Sequence, residues 1–402
     1  MQKEIKIGVI REGKFPYDKR TPLTPHQCKQ VMAFYPNVEV IVQPSLHRCF
    51  TDKAYTDLGV QIAEDLSDCS ILLGVKEVPV SELIAEKTYL FFSHTIKKQA
   101  YNKTLLRTIL NQKIQLIDYE TLVWEAGNRI IGFGRFAGLV GTHYALMMWG
   151  LKHHLFQLKP AHACADLKAV LAQYEAVQLP AVKIVLCGDG RVAHGAIDFL
   201  RALGIKQVSA QDFLNNTYSV PVFVQLRSED YYAHKLGRFW DKSDFYKHPE
   251  DYISTFKPFT NVADIFINAI FWKAQIPAFY TLEEIKQPDF KIRVISDITC
   301  DIPGPLPTTI KSTTIENPYF GIHPLSAKEQ PPFLSNTIDV QAVSNLPCEL
   351  PIDASIEFGE QLIRHVLPEL LEADQSAIIE RACIAKDGQL TAHFSYLQDF
   401  VD

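Results

Sequence analysis

No metal site, charged tail or membrane span can be read in this 402-residue chain. The eight cysteines, Cys28, Cys49, Cys69, Cys164, Cys187, Cys300, Cys348 and Cys383, are scattered. No two are spaced as Cys-x-x-Cys, and none pairs with a nearby histidine in a zinc pattern. They read as small core residues of a reducing compartment, and no metal is assigned. Neither sign of charge forms a long run. Forty basic residues against 46 acidic ones leave a formal charge of −6, so nothing recruits nucleic acid or an anionic membrane. The longest apolar stretch, 137–151, is broken by Thr142 and His143 and is too short to cross a bilayer. The first residues, Met1-Gln-Lys-Glu-Ile-Lys-Ile7, lack the uncharged apolar core of a secretory leader. A cytoplasmic location is therefore expected. No repeat of solenoid period is present.

What is there suits large cores. Hydrophobic residues make up 47% and charged residues 21%, and the length is that of about two to three domains. The first 135 residues alternate strand and helix signals. Strands are expected at 5–10, 38–42, 71–75, 89–92 and 115–117. Thr24-Pro25 places an N-cap before a proline, and Ser81-Glu82 opens another helix. This alternation predicts a parallel sheet with helices on both faces. A helix from Phe136 to about Leu155 follows. In it Ala137, Gly138, Gly141 and Ala145 invite close approach of another element, and it is expected to cross from one domain to the next.

A second α/β unit spans about 180–300, with strands at 182–186, near Val208, and at 222–225, 265–268 and 293–296. Residues 215–258 are polar and aromatic, and read as loops with one or two short helices. Residues 301–336, rich in proline and threonine, read as a return connection. A strand at 337–343 and an amphipathic helix at 351–371 are expected to fold back onto the first sheet. That helix carries Ile352, Ile356, Phe358, Leu362, Ile363 and Val366 on one face. The expected class is α/β: two Rossmann-like domains with parallel sheets and a cleft between them. One comprises 1–135 plus 325–402, and the other 136–324.

Gly188, Gly190 and Ala193 lie between an apolar run and an amphipathic one. A strand that turns into a helix through glycines leaves uncovered N–H groups at the helix N-terminus, a seat for a pyrophosphate. As a pattern alone this is weak, and an ordinary strand-to-helix turn is the plain alternative. The context supports a dinucleotide, with Gly188, Gly190, Arg191, Val192 and Ala193 as its contacts.

In open parallel sheets ligands bind beyond the C-terminal ends of the strands. Arg20 follows the first strand at a distance. Lys76 and Glu77 follow the third, Ser93, His94 and Lys97 the fourth, and Asp118 and Glu120 the fifth; Asp297 follows a strand of the second unit. Taken singly, a strand-end lysine or arginine is a solvated charge and His94 a satisfied structural histidine. Glu120 is a helix-start acid, and Asp297 a loop cap. Their convergence on one rim is what suits a zwitterion with several carboxylates. A lysine held near other cations or partly desolvated can lose its proton near neutral pH.

Several blocks resemble the lysine-forming saccharopine dehydrogenases, or lysine–2-oxoglutarate reductases, within the broader alanine dehydrogenase and transhydrogenase group. In the first part they are Lys19-Arg-Thr-Pro-Leu-Thr-Pro25, Gly74-Val-Lys-Glu-Val-Pro79, Phe91-Phe-Ser-His-Thr-Ile-Lys97, Leu116-Ile-Asp-Tyr-Glu120 and Arg129-Ile-Ile-Gly-Phe-Gly134. Later ones are 190–197, Asp264-Ile-Phe-Ile-Asn268, Ile295-Ser-Asp-Ile-Thr-Cys-Asp301 and Leu350-Pro-Ile-Asp-Ala354. The segments 91–97, 248–253 and 313–318 look most like the reductase half of the bifunctional animal enzyme. With the chain ending at Asp402, one half of that pathway is expected alone.

The resemblance implies reductive condensation of L-lysine with 2-oxoglutarate to saccharopine, by way of an imine reduced by NAD(P)H. Carried over by position, Lys76 resembles the base that takes a proton from the amine. His94 resembles the group that moves protons on the carbinolamine oxygen. Arg20 and Arg129 resemble carboxylate binders. Lys97 adds positive charge, Glu77 and Glu120 tune the lysine and histidine or hold an amine, and Phe133 lines the cleft. Asp297 faces it from the cofactor side. The animal branch keeps no acid at the position of Glu77.

The cofactor is NADP or NAD. In the region read as the second strand of the nucleotide fold, Gln207-Val-Ser-Ala-Gln-Asp212, Ser209 stands where an NAD-selecting acid is expected, and no arginine follows at once. Resemblance to the animal branch favours NADPH. Two alternatives stand beside the reductase. One is an alanine dehydrogenase-like enzyme that aminates pyruvate, for which Lys97 and Arg129 are surplus. The other is a non-catalytic nucleotide-binding protein, against which Lys76, His94 and Arg20 together argue.

Overall fold

The structure is a computed structural model and describes residues 4–402. The chain forms two compact units. One runs up to Phe133 and resumes over Pro351–Asp402; the other is Gly134–Leu350.

The first unit is built on short apolar runs that become parallel strands. Ile5–Val9 pairs with Val38–Val42 on one side and Ile71–Leu73 on the other. Thr88–Phe91 and then Gln115–Asp118 extend the sheet in the same direction, and Gln61–Ile62 closes the far edge. Apart from the edge strand Gln61–Ile62, these strands are largely buried on both faces, so they read as continuous rather than alternating hydrophobic runs. Two C-terminal strands not seen in the sequence, Cys383–Lys386 and Gln389–Leu390, add antiparallel to Gln115–Asp118 and cap that edge.

Helix Pro25–Phe34 starts where Thr24 and Pro25 predict, with a reciprocal capping box between Thr24 and Gln27. The expected helix at Ser81 is only a three-residue 3₁₀ turn, Val80–Glu82. The late amphipathic segment begins at Pro351, winds into a wide π turn over Leu362–Val366 and resumes as Leu367–Leu371. It packs in the first unit, where the Ser355 hydroxyl accepts the Thr21 N–H at 2.9 Å.

The second unit has a sheet of eight strands in which Ile265–Asn268 lies between Lys183–Cys187 and Val294–Asp297, all parallel. Helix Gly134–Lys152, expected to join two domains, is the first element of this unit and crosses helix Arg191–Ala202. A Cβ on Gly138 would lie 1.9 Å from the Val192 carbonyl oxygen, and one on Gly195 1.9 Å from that of Arg135. The small residues therefore set how closely the two helices approach.

The strand Ile338–Gln341 was expected to join the first sheet. It pairs instead with Val294–Asp297 in the second, so residues 325–350 belong with Gly134–Leu350. Its Asp339 is fully buried and meets the Lys152 ammonium at 2.9 Å. Removing one partner of such a buried pair costs about 3–5 kcal/mol, which fixes the strand to this unit. Within 215–258, helices Ser228–Tyr231 and Lys242–Lys247 accompany a small hairpin of Tyr232–His234 with Tyr252–Ser254. Its rings, Tyr231, Tyr232, Phe245 and Tyr252, are buried in the second core. No helix among the described residues is long and apolar enough to cross a membrane.

Substituting Gly195→Ala forces the helix pair apart. The expected loss is about 1–3 kcal/mol, read as a lower urea midpoint; an unchanged midpoint would show that the crossing is not this tight.

Candidate active site

In the first unit the strand ends bring charged side chains together in two groups. The first centres on Glu77. Its side chain is only 7% exposed, and its carboxylate meets His94 Nδ1 at 2.6 Å and Lys14 Nζ at 2.7 Å. The Tyr101 hydroxyl approaches it at 3.4 Å. Burial works against the charge, but the bonds from His94 and Lys14 outweigh it and hold Glu77 down to about 2. Glu77 is therefore a permanent anion at neutral pH. Fixing Nδ1 of His94 leaves Nε2 as the ring's second functional atom. His94 itself sits in the left-handed region, at φ 54°, where the chain turns sharply off its strand.

The second group centres on Glu120. One of its oxygens lies 3.1 Å from Arg129 and 3.5 Å from Lys97, both of which are about half exposed. Its other oxygen is buried with no hydrogen-bond partner among the described residues. Two cations thus meet at one carboxylate oxygen. The buried Asp118 places both groups. It accepts the Ser93 N–H at 3.0 Å and the Glu120 N–H at 2.7 Å, and it also takes the Ser93 hydroxyl.

Arg20 is 3% exposed. Its guanidinium donates two hydrogen bonds to Asp18, at 2.9 and 2.6 Å, and lies 4.0 Å from the centre of the Phe133 ring. The other side of the wall is Phe358, parallel to Phe133 at 4.5 Å between centroids. A substrate carboxylate on Arg20 would share it with Asp18, an acid that sequence reasoning did not select.

Lys76 is half-buried. Its backbone N–H and that of Val75 are both held by Glu12, at 2.8 and 2.6 Å. Burial, reinforced by the charge on Asp18, pushes Glu12 up to about 8, against those two N–H groups and Arg20. Glu12, Lys14, Asp18 and Phe358 were all missed. The first three lie in the irregular loop after Ile5–Val9, where no periodicity marks a partner, and Phe358 reads simply as part of an apolar helix face.

In the second unit the glycine turn has the expected form. Gly188 has φ +129°, and a Cβ there would meet the Ala269 carbonyl oxygen at 2.5 Å, so the fold itself demands glycine. Gly190, the N-cap of Arg191–Ala202, is different. Its φ is −89°, and a Cβ would meet no protein atom within 4 Å. Nothing among the described residues crowds that position, and a helix N-terminus left open in this way can seat a diphosphate. Arg191 and Val192 open that helix, and Ala193 is buried beneath it.

Asp297 departs from the expected cofactor-facing carboxylate. It is fully buried, and its oxygens accept Asn268 Nδ2 at 2.8 Å, Thr309 Oγ1 at 2.7 Å and the Cys300 N–H at 3.2 Å. Burial raises its pKa despite these bonds. It anchors the loop after its strand. The second strand of the nucleotide fold is also corrected. Lys206–Gln207 has only two residues and sits at the outer edge, paired with Val222–Leu226. The neighbour of Lys183–Cys187 is Val222–Leu226, in register along its whole length. The position beyond the second strand is therefore Arg227, not Ser209. Among the described residues no group of three His, Cys, Asp or Glu side chains is placed to hold a metal ion.

The folded pKa of Glu12 lies above the ordinary carboxylate value of about 4.3. The unfolded chain releases this proton first, so Glu12 makes stability fall as pH rises from that value to about 8. Glu12→Gln is expected to flatten that fall in urea midpoints taken across the window. An unchanged slope would contradict the assignment.

The chain resembles known proteins in sequence and in fold. Residues 8–140 match the family described as Alanine dehydrogenase/PNT, N-terminal domain. Over 447 residues the chain is 30% identical to the mitochondrial alpha-aminoadipic semialdehyde synthase of Rattus norvegicus, covering 98% of this chain and 47% of that one. Over 390 residues it is 28% identical to the saccharopine dehydrogenase (NAD(+), L-lysine-forming) of Emericella nidulans, covering 91% and 92% of the two chains. The chain spans about half the length of the semialdehyde synthases it matches. A solved structure of an L-alanine dehydrogenase has the same fold, with a TM-score of 0.67 at 16% identity over 98% of this chain and 99% of that one. By sequence the chain is similar over nearly its whole length to saccharopine dehydrogenases and alpha-aminoadipic semialdehyde synthases, and it shares its fold with an L-alanine dehydrogenase.

Proposed function

We propose that this protein is an NAD(P)H-dependent oxidoreductase that condenses L-lysine with 2-oxoglutarate to saccharopine, reversibly. Lysine, 2-oxoglutarate, NAD(P)H and one proton give saccharopine, NAD(P)⁺ and water. The observation that carries the reading is the pair of charge groups at neighbouring strand ends. Glu77 with His94 supplies proton transfer, and Lys97 and Arg129 beside Glu120 supply ammonium and guanidinium donors for carboxylates.

Lys76 takes the proton released when the ε-amine attacks the keto carbon. His94, oriented through Nδ1 by Glu77, protonates the carbinolamine oxygen so that water leaves. The anionic Glu77 stabilises the protonated imidazole in that step. Arg129 and Lys97 hold carboxylates of the keto acid, Arg20 a further carboxylate beside Asp18, and Phe133 the aliphatic portion between them. Glu12 positions Lys76 through its backbone. When bound, the dinucleotide supplies the hydride; Gly188, Gly190, Arg191, Val192 and Ala193 hold its diphosphate.

The test is oxidation of NADPH and NADH with lysine plus 2-oxoglutarate, run beside pyruvate plus ammonia. Turnover with the first pair is expected. Turnover confined to the second would make the protein an alanine dehydrogenase-like enzyme. Lys76→Met and His94→Gln should each lower kcat by about 100-fold or more while dinucleotide binding persists. Wild-type rates in both variants would remove their assigned roles. Gly190→Ala should weaken dinucleotide binding without lowering thermal stability; unaltered binding would place the diphosphate elsewhere.

A further inference from the structure

Beyond the strand that flanks the glycine turn stands a guanidinium with no hydrogen-bond or ion-pair partner among the described residues. Leu226 ends that strand, and its carbonyl accepts the Gly188 N–H at 2.9 Å. From the same strand, Gln225 Nε2 donates to the Gly188 carbonyl at 3.0 Å. The strand end and the glycine turn are thus bonded into one piece, and Arg227 is the next residue. It is exposed. Its backbone N–H donates to Asp230 Oδ2 at 2.7 Å, while its guanidinium makes no hydrogen bond or ion pair among the described residues. A second cation is at hand on the glycine turn, where Lys242 meets Asp189 at 3.4 Å with both side chains largely exposed.

In nucleotide folds the residue beyond this strand faces the ribose of the adenosine half. A carboxylate there takes both ribose hydroxyls and selects NADH. A guanidinium suits a phosphate monoester in the same place, because its planar fork matches two phosphate oxygens. Here the position is Arg227. Two exposed acids follow it, Glu229 and Asp230, and Asp230 already accepts a backbone N–H with one oxygen.

We infer that Arg227 selects NADPH over NADH by binding the 2′-phosphate of the adenosine ribose. This rests on the dinucleotide-dependent reading proposed above and names the coenzyme it uses. The site is separate from the residues assigned to proton transfer, so it can be probed without turnover.

Binding of NADPH and NADH to the full chain, followed by fluorescence titration, tests the inference. Displacement by adenosine 2′,5′-bisphosphate is compared with displacement by adenosine 5′-monophosphate. The unsubstituted protein should bind NADPH and the bisphosphate about tenfold or more tightly than their counterparts. Arg227→Ala should remove most of that preference by weakening NADPH, leaving NADH within about twofold, as an exposed side chain allows. Arg227→Lys should keep part of it. Equal binding of the two coenzymes overturns the inference. So does a preference that Arg227→Ala leaves intact, or an equal weakening of both coenzymes; all three leave the reductase reading standing. Failure of the unsubstituted protein to bind either dinucleotide would overturn both.

Discussion

Glu77 is almost wholly removed from water and still ionised, and the chemistry of the first unit turns on that. A carboxylate in such a place keeps its charge only if cations and donors replace the lost hydration. Here Lys14 comes from the loop after the first strand, and His94 from the turn after the fourth. The need to satisfy one buried charge therefore ties three separate segments together. It also determines which nitrogen of His94 is committed to the carboxylate. The anion is retained through the neutral range because its pKa is held near 2.

The same economy recurs at Asp118 and Asp297. Each ends a parallel strand, each is fully buried, and each spends its oxygens on donors from neighbouring strand ends and loops, Ser93 and Glu120 for Asp118, and Asn268, Cys300 and Thr309 for Asp297. The acids at these strand ends are thus satisfied within the protein, while Lys97 and Arg129 stay about half exposed. In the second unit Gly188 and Gly190 divide the work differently. One is required by the fold, whereas a Cβ on the other would meet no atom of the described residues within 4 Å.

Most of the fold was legible because buried parallel strands are short continuous apolar runs, and Val38–Val42 and Ile265–Asn268 were read to the residue. What sequence patterns do not carry is order within a sheet. Val222–Leu226 was recognised as a strand, but its place beside Lys183–Cys187 depends on pairing. The residue beyond the second strand was for that reason sought at Ser209. The same gap sent Ile338–Gln341 to the wrong sheet. The hairpin Cys383–Lys386 with Gln389–Leu390 escaped notice because short antiparallel strands added at a sheet edge have no flanking helix pattern to announce them. Within the site, residues on the strand-end rule were found, whereas Glu12 was not. Its partners are backbone N–H groups 63 and 64 residues away, and no side-chain pattern records such a bond.

The account treats the first unit as a holder of an amine and a dicarboxylate, with proton carriers set beside them. A crystal structure with saccharopine and oxidised dinucleotide bound tests that most directly. The account predicts the secondary amine of saccharopine within hydrogen-bond reach of Lys76 or His94, about 2.6–3.2 Å or one water away, with carboxylates on Arg129 and Lys97. Saccharopine bound away from Glu77 and Glu120, with its amine contacting neither Lys76 nor His94, would contradict it.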